Sequence, residues 1–341
     1  MNKLILVTGG TGYIGSHTVV ELMNVGFDVV IIDNLSNSVK SVLEGIAEIT
    51  GRRPYFEQFD ICDKDKLENF FKVYKKLDAV IHFAAYKSVG ESVEKPLKYY
   101  QNNLTSLMNL LAGMLRYKIP HFVFSSSATV YGQPDKLPVT EEATFKTADS
   151  PYGNTKQIAE EIICDTVKVN SNIHAISLRY FNPIGAHSSA LIGELPTGVP
   201  DNLVPFITQT AAGIRTELKV FGDDYNTPDG SAIRDYINVV DLAKAHVVSI
   251  NRMIENKCKG NPEVFNLGTG KGISVLEIVK AFENITEENL NYKIVDRREG
   301  DVESVYADTK LANEELGWKA EVNLEDTLLS AWNWEKYIRK I

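Results

Sequence analysis

The chain has 341 residues, about twice the usual ~100–200 per domain, so one large or two modest domains with a sizeable core are expected. Asp and Glu number 45 against 36 Lys and Arg, and the net charge of −9 excludes a binder of nucleic acid or anionic membranes, which needs a basic surface to displace counterions. A hydrophobic content of 44% excludes disorder.

Apolar runs alternate with helical patterns through the first half. Residues 4–7 read as a buried strand, 14–25 as a helix closed by Gly26, and 28–32 as the next strand. Residues 39–49 read helical, 55–59 extended, 65–74 helical and 79–83 extended. A long helix is expected over 96–115, then a strand over 121–124. After a turn-rich loop, 131–150, come a helix at 152–169 and a strand at 174–178. This alternation predicts βαβ units and an α/β, Rossmann-type doubly wound parallel sheet covered on both faces. Beyond Arg179 the rhythm breaks. Residues 182–202, rich in Gly, Pro, Asn and Ser, read as loop, and the rest as shorter mixed elements ending in a helix near 324–339. The expected division is 1–181 for a dinucleotide domain and 182–341 for a smaller mixed substrate domain, with some later segments returning to the first. Ligands of doubly wound sheets sit at the carboxyl ends of the strands, which the second domain would cap.

Four motifs fall at that edge. Gly9, Gly12 and Gly15 form a Gly-x-x-Gly-x-x-Gly between the first strand and helix, where glycine permits close approach of a pyrophosphate to a helix N-terminus. Asp33 ends the second strand, and an acid there accepts from both adenine-ribose hydroxyls and repels a 2′-phosphate, favouring NAD over NADP. Tyr152 and Lys156 lie four apart after Ser150 and Pro151, which supply an N-cap and an N1 proline. Both then share one helix face, where an ammonium and a charged nicotinamide favour the phenolate. Ser127 lies in Ser-Ser-Ser-Ala-Thr-Val-Tyr-Gly after the fifth strand, and its hydroxyl suits a proton relay to Tyr152. Each signal alone also fits a plain turn, a solvated helix face or a polar loop.

In conjunction, and nearly end to end, the sequence resembles the extended short-chain dehydrogenase/reductase superfamily, and within it the UDP-glucose (UDP-galactose) 4-epimerases. The likeness runs through Val-Thr-Gly-Gly-Thr-Gly-Tyr-Ile-Gly-Ser-His-Thr (7–18), Asp-Asn-Leu-Ser-Asn-Ser (33–38), Val-Ile-His-Phe-Ala-Ala-Tyr-Lys (80–87) and Val-Gly-Glu-Ser-Val (89–93). It continues in Phe-Ser-Ser-Ser-Ala-Thr-Val-Tyr-Gly (124–132), Ser-Pro-Tyr-Gly-Asn-Thr-Lys (150–156) and Arg-Tyr-Phe-Asn-Pro-Ile-Gly-Ala (179–186). Arg-Asp-Tyr-Ile (234–237), Arg-Arg-Glu-Gly-Asp (297–301) and Tyr-Ala-Asp (306–308) complete it. Asn238 departs from it, where many relatives carry histidine, as does Ala85, where glycine is frequent.

The resemblance implies an isomerase of galactose metabolism that interconverts UDP-glucose and UDP-galactose through a 4-keto intermediate, with NAD as cofactor and Ser127, Tyr152 and Lys156 as catalytic residues. It places Tyr13, Ile14, Asp33, Asn34, Asn37, Asp60, Ile61, Phe83, Ala84, Ala85, Lys87 and Asn102 on NAD, together with the glycines, Tyr152 and Lys156. Tyr180 and Phe181 would lie near the nicotinamide. Ser127, Asn182, Asn202, Leu203, Lys219, Val220, Phe221, Arg234, Arg298 and Asp301 match the UDP-sugar positions. Val305 aligns with a sugar-pocket wall, where a small residue resembles epimerases that also accept N-acetylhexosamines. The helices 96–115 and 152–169 match a homodimer interface of relatives, and Leu104, Met108, Leu111 and Leu115 recur there at helical spacing.

Two other readings stand beside this one. A nucleotide-sugar 4,6-dehydratase shares the first oxidation but carries an acidic pair where this chain has Ala128 and Thr129. A non-catalytic dinucleotide sensor on the same fold often loses the Tyr/Lys pair retained here. The six histidines show no metal-ligand spacing, so no metal is expected. Three unpatterned cysteines, no run of about 18 apolar residues and no signal-peptide pattern point to a cytoplasmic protein.

Overall fold

β-Branched residues dominate the first two expected strands, and the computed structural model, which describes residues 2–298 and 301–341, pairs them in parallel. The six N-terminal strands are β1 (Leu4–Thr8), β2 (Asp28–Ile32), β3 (Tyr55–Glu57), β4 (Ala79–His82), β5 (His121–Ser125) and β6 (His174–Tyr180). Around them run α1 (Tyr13–Asn24), α2 (Val42–Thr50), α3 (Lys64–Val73), α4 (Val89–Glu94), α5 (Pro96–Tyr117) and α6 (Pro151–Val169). The sequence reading lacks α4, which is short and opens with Ser88 accepting from the Glu91 N–H.

Beyond β6 come β7 (Asn182–Ile184), α7 (Leu203–Ala211), β8 (Leu218–Phe221), β9 (Ile233–Arg234) and β10 (Tyr236–Asn238). α8 (Val239–Ile254) and β11 (Glu263–Leu267) follow, then β12 (Ile273–Ser274), α9 (Val275–Thr286), β13 (Tyr292–Val295), β14 (Ser304–Val305) and α10 (Leu324–Arg339). A seven-stranded sheet has the order β11-β6-β5-β4-β1-β2-β3, parallel throughout. The order reverses between β1 and β4, and such a switch point opens a crevice at the carboxyl ends of the strands.

Alternation across the pleat divides the core. Ile5, Val7, Val29 and Ile31 face one side with Val19 and Leu22 of α1 and Leu242 and Ile250 of α8. Leu6, Val30, Val80 and Phe122 face the other with Phe71 of α3, Leu110 of α5 and Ile163 of α6. Each such fully buried side chain contributes about 1.5–3 kcal/mol of transfer free energy. The smaller lobe has short pairings: β10 with β7, β13 with β8, and β12-β9-β14. Its core gathers Ile207, Val220, Phe282, Leu328 and Trp332, whose indole meets Phe282 edge-on at 5.9 Å. No helix among the described residues is long and apolar enough to cross a membrane.

Candidate active site

The turn after β1 is built on backbone approach. Gly9 has φ +70°, and a Cβ on it would sit 2.9 Å from the Ala84 nitrogen beyond β4. A Cβ on Gly15 would collide with the Gly9 carbonyl oxygen. The packing is therefore possible only without side chains. α1 follows with Gly12 at its N-cap, no side-chain cap and no acid in its first turn. Its free N–H groups and positive end suit an anion such as a pyrophosphate.

At the end of β2, Asp33 accepts from the Thr11 N–H at 3.2 Å and the Leu35 N–H at 2.9 Å. Those bonds hold a carboxylate beside the glycine turn, where ribose hydroxyls are its natural partners. Asn34 donates to Asp60 at 3.1 Å, and Asn37 accepts from Thr197 at 2.9 Å. Asn102 donates to Asn103 at 3.0 Å, and Phe83 lies 4.7 Å from the His246 ring. The Ala84 N–H donates to Thr8 at 3.4 Å, with half-buried Ala85 following it. Half-buried Ile14 lies in the first turn of α1. The Tyr13 hydroxyl is committed to the Gly185 carbonyl at 2.6 Å, and the Ile61 side chain is buried in the core. Ile61 can therefore offer a ligand its backbone rather than its side chain. The donors and acceptors of this edge fit NAD.

The second part of the site begins α6. Ser150 accepts from the Gly153 N–H at 3.1 Å, with Pro151 at N1, and this cap sets the phase that aims Tyr152 and Lys156 inward. Both are buried, at 8% and 5% exposure. The Lys156 Nζ donates to the Ser125 carbonyl at 2.6 Å and lies 4.7 Å from the Phe124 ring and 6.0 Å from that of Tyr152. Ser127 accepts from the Thr129 N–H at 3.2 Å and hydroxyl at 3.0 Å, opening a tight turn over Ala128–Tyr131. Ser125 shares a hydrogen bond with the Tyr180 hydroxyl at 2.6 Å.

Burial pushes the Tyr152 phenol up to about 12, opposed by a hydrogen bond with Ser127. Burial pushes Lys156 down to about 8, opposed by the charge of Glu160. The expected phenolate thus does not follow from these groups alone, because desolvation dominates. A cationic ring against Tyr152 would supply the missing favourable charge.

The third part lies in the smaller lobe. Arg298 donates to Asp301 at 2.7 Å, and Arg234 pairs with the same carboxylate at 3.5 Å. Phe221, 38% exposed, lies 5.7 Å from the Arg298 guanidinium. Lys219 is exposed, half-buried Leu203 begins α7, and the N–H of Asn182 donates to the Asp235 carbonyl at 2.9 Å. Val220 is 1% exposed and belongs to the lobe's core, so it too offers a ligand only backbone. Val305 stands opposite Arg234 in the β14–β9 register and packs on a cluster holding Phe181, Val130 and Ala307. Glu299 and Gly300 of the Arg-Arg-Glu-Gly-Asp motif lie outside the described residues.

A family model described as GDP-mannose 4,6 dehydratase matches residues 6–330. The chain is 49% identical over 332 residues to the UDP-glucose 4-epimerase of Haemophilus influenzae, covering 97% of each. A solved UDP-glucose 4-epimerase from Stenotrophomonas maltophila, with bound NAD and formylated UDP-arabinopyranose, superposes with a TM-score of 0.95 at 47% identity, over 100% of this chain and 99% of that one. One from Bifidobacterium longum, in complex with NAD+ and UDP, gives 0.93 at 45%, over 98% of each. The chain belongs to the UDP-glucose 4-epimerase family.

The positions that would mark a dehydratase agree with this. Ala128 holds no acid, and the Thr129 hydroxyl is spent on Ser127. In this epimerase-family chain three further groups reach the site without a sequence signal of their own. Glu194 receives Lys87 at 3.3 Å and Asn202 at 2.6 Å, bridging the sheet edge and the smaller lobe. Tyr225 is buried with a hydroxyl that has no partner among the described residues, near Arg234, Arg298 and Asp301, and the Arg297 guanidinium lies 4.1 Å from its ring. Glu160 lies one turn beyond Lys156, buried against Arg179. A tyrosine before Asn-Thr-Pro or a glutamate in a glycine-rich loop looks like ordinary surface in one dimension. Among the described residues no cluster of His, Cys, Asp or Glu is placed to hold a metal ion.

Proposed function

We propose that this protein is an NAD-dependent UDP-hexose 4-epimerase that interconverts UDP-glucose and UDP-galactose through a 4-keto sugar. The observation that carries the reading is the burial of Tyr152 and Lys156 on one turn of α6, with Lys156 held by Ser125 and Ser127 beside Tyr152, at the sheet edge that also holds the glycine turn. Residues 1–181 would carry NAD, on the α1 N-terminus and Asp33, and 182–341 most of the UDP-sugar. When bound, NAD would supply a hydride acceptor for sugar C4 and, once reduced, the donor for its return. Ionised Tyr152 takes the proton of the C4 hydroxyl, with Ser127 as relay, and later gives it back. The Lys156 ammonium stabilises the phenolate. Arg234 and Arg298 hold the diphosphate while the keto sugar turns over. The Tyr225 hydroxyl, free among the described residues, belongs with that group.

Val305 supports acceptance of N-acetylated UDP-hexoses as well, since a short side chain there leaves room for an acetamido group. A homodimer is the proposed assembly. Leu97, Met108 and Leu115 are exposed large apolar side chains on α5, and with half-buried Leu104 they fall along one line of that helix. The three free cysteines suit a cytoplasmic, reducing setting.

Incubation with UDP-galactose and measurement of UDP-glucose tests the reading. Tyr152→Phe is expected to lower turnover by about 10²–10⁴-fold, the scale of proton-transfer catalysis, while UDP still binds. Near-normal turnover in that variant removes Tyr152 from the mechanism.

A further inference from the structure

Three consecutive serines at the end of β5 each meet a different part of the site. The Ser125 carbonyl accepts from Lys156, and Ser127 lies beside Tyr152. Between them, the Ser126 hydroxyl donates to Glu160 Oε1 at 2.5 Å. Glu160 follows Lys156 by four residues on α6, so Lys156 and Glu160 clamp adjacent residues of one segment from successive turns.

The carboxylate is itself fixed from the next strand. Arg179 on β6 donates its Nε to Glu160 Oε1 at 3.0 Å and its Nη2 to Oε2 at 2.6 Å. Its Nη1 donates to the Tyr131 hydroxyl at 2.9 Å, and Tyr131 donates to Asn266 of β11 at 2.6 Å. Glu160 and Arg179 are 9% and 6% exposed. A buried ion pair of this kind is a poor way to gain stability, because its desolvation cost is comparable with its attraction and apolar residues of similar volume serve as well. Its place next to Lys156 gives it another use.

We propose that Glu160, anchored by Arg179, is a positioning residue for the Tyr152–Lys156 pair, fixing the Ser125–Ser127 segment and presenting the negative charge that faces the Lys156 ammonium. The proposal rests on the epimerase reading. Lys156 is faced by Tyr152 and Glu160 from its own helix, and His82 of β4 feels its charge. Burial holds His82 down at about 3, so it is neutral and Glu160 is the charge that opposes desolvation of the ammonium. Tyr180 of β6 faces Tyr152 as a neutral phenol, its ionisation driven up by burial. Glu160 in turn faces Arg179 of β6 and Tyr131 of the turn, with Glu141 bordering Arg179.

The sign follows from these groups. Removing the Glu160 charge makes Lys156 lose its proton at lower pH, so the alkaline limb of kcat should move down. Glu160→Gln keeps the shape and removes the charge. With UDP-galactose as substrate, its alkaline limb is expected to shift by about one pH unit or more, with UDP affinity and NAD content unchanged. Glu160→Asp should leave the limb near the wild-type position and lower kcat alone. A Glu160→Gln profile that overlays on wild type, even with a lower melting temperature, leaves Glu160 only structural and overturns the proposal. Should Glu160→Gln not fold, Ser126→Ala reads the same clamp: kcat is expected to fall several-fold at constant KM, and wild-type kcat overturns the proposal. Wild-type turnover measured alongside separates this outcome from failure of the epimerase reading, in which no profile exists at all.

Discussion

Tyr152 and Val305 are the single side chains on which the proposed chemistry and the proposed selectivity turn. Burial raises the Tyr152 phenol to about 12, so a positive charge beside it, added to that of Lys156, would favour its ionisation. Tyr152 is legible only in conjunction with the glycine turn, Asp33 and the serine run, because a Tyr/Lys pair alone also fits a solvated helix face. Glu160 and Tyr225 are not legible, since Arg179 and Arg297, which they meet, lie 19 and 72 residues away in sequence. Val305 is half-buried and packs on the cluster that holds Phe181, where the proposed function places the sugar. Turnover of UDP-N-acetylglucosamine is therefore expected. Val305→Tyr should reduce it by about tenfold or more relative to UDP-galactose, the scale on which pocket volume discriminates substrates. Equal losses on both sugars, or no turnover of the acetylated sugar by the wild type, count against a selective role.

At the scale of elements, the strands and long helices of the first half lie within a few residues of their expected bounds, because each combines a periodic apolar face with a local stop signal. Ser150 and Pro151 start α6, and Asp63 caps α3 by accepting from the Lys66 N–H. The sequence expects some later segment to return to the first domain without saying which, and the strand that does so is β11. It pairs with β6 across more than eighty residues, and no local pattern encodes that partner. α5 carries two messages at once. Leu107, Leu110, Leu111 and Met114 are buried within the chain, whereas Met108 is 50% exposed on the line that also carries Leu97 and Leu115. In the proposed dimer that line would be covered, which would account for a helix apolar on both sides. Sedimentation at micromolar concentration should show a dimer, and Met108→Glu should shift it toward monomer with its fold retained. A wild-type monomer would contradict the proposed assembly.

For the whole molecule, burial of histidine predicts the acid limit of stability. His17, His82 and His246 are fully buried and held down at about 4, about 3 and about 4 by desolvation. In the unfolded chain each protonates near ~6.5. Between those values the unfolded state binds more protons, so stability is lost as pH falls from about 6.5 toward 4, at about 1.4 kcal/mol per pH unit for each histidine. Asp235 and Glu141, pushed up by burial, act in the opposite sense. The melting temperature should fall steadily over that window, and a flat profile would show that the histidines are not protected from protons.

The amino-acid order by itself determined the doubly wound half, the glycine turn and the start of α6, because alternation, glycine spacing and helix caps are local signals read along the chain. The net charge of −9 told which polyanions the surface repels, but not that Arg234, Arg298 and the α1 N-terminus form cationic places within it. Only the tertiary structure decided how the halves meet. Glu194 joins Lys87 to Asn202, β14 sets Val305 opposite Arg234, and Arg179 of β6 pairs with Glu160 of α6. Such contacts are chosen by what is left unpaired after the sheet and helices have packed, and that remainder exists only in three dimensions.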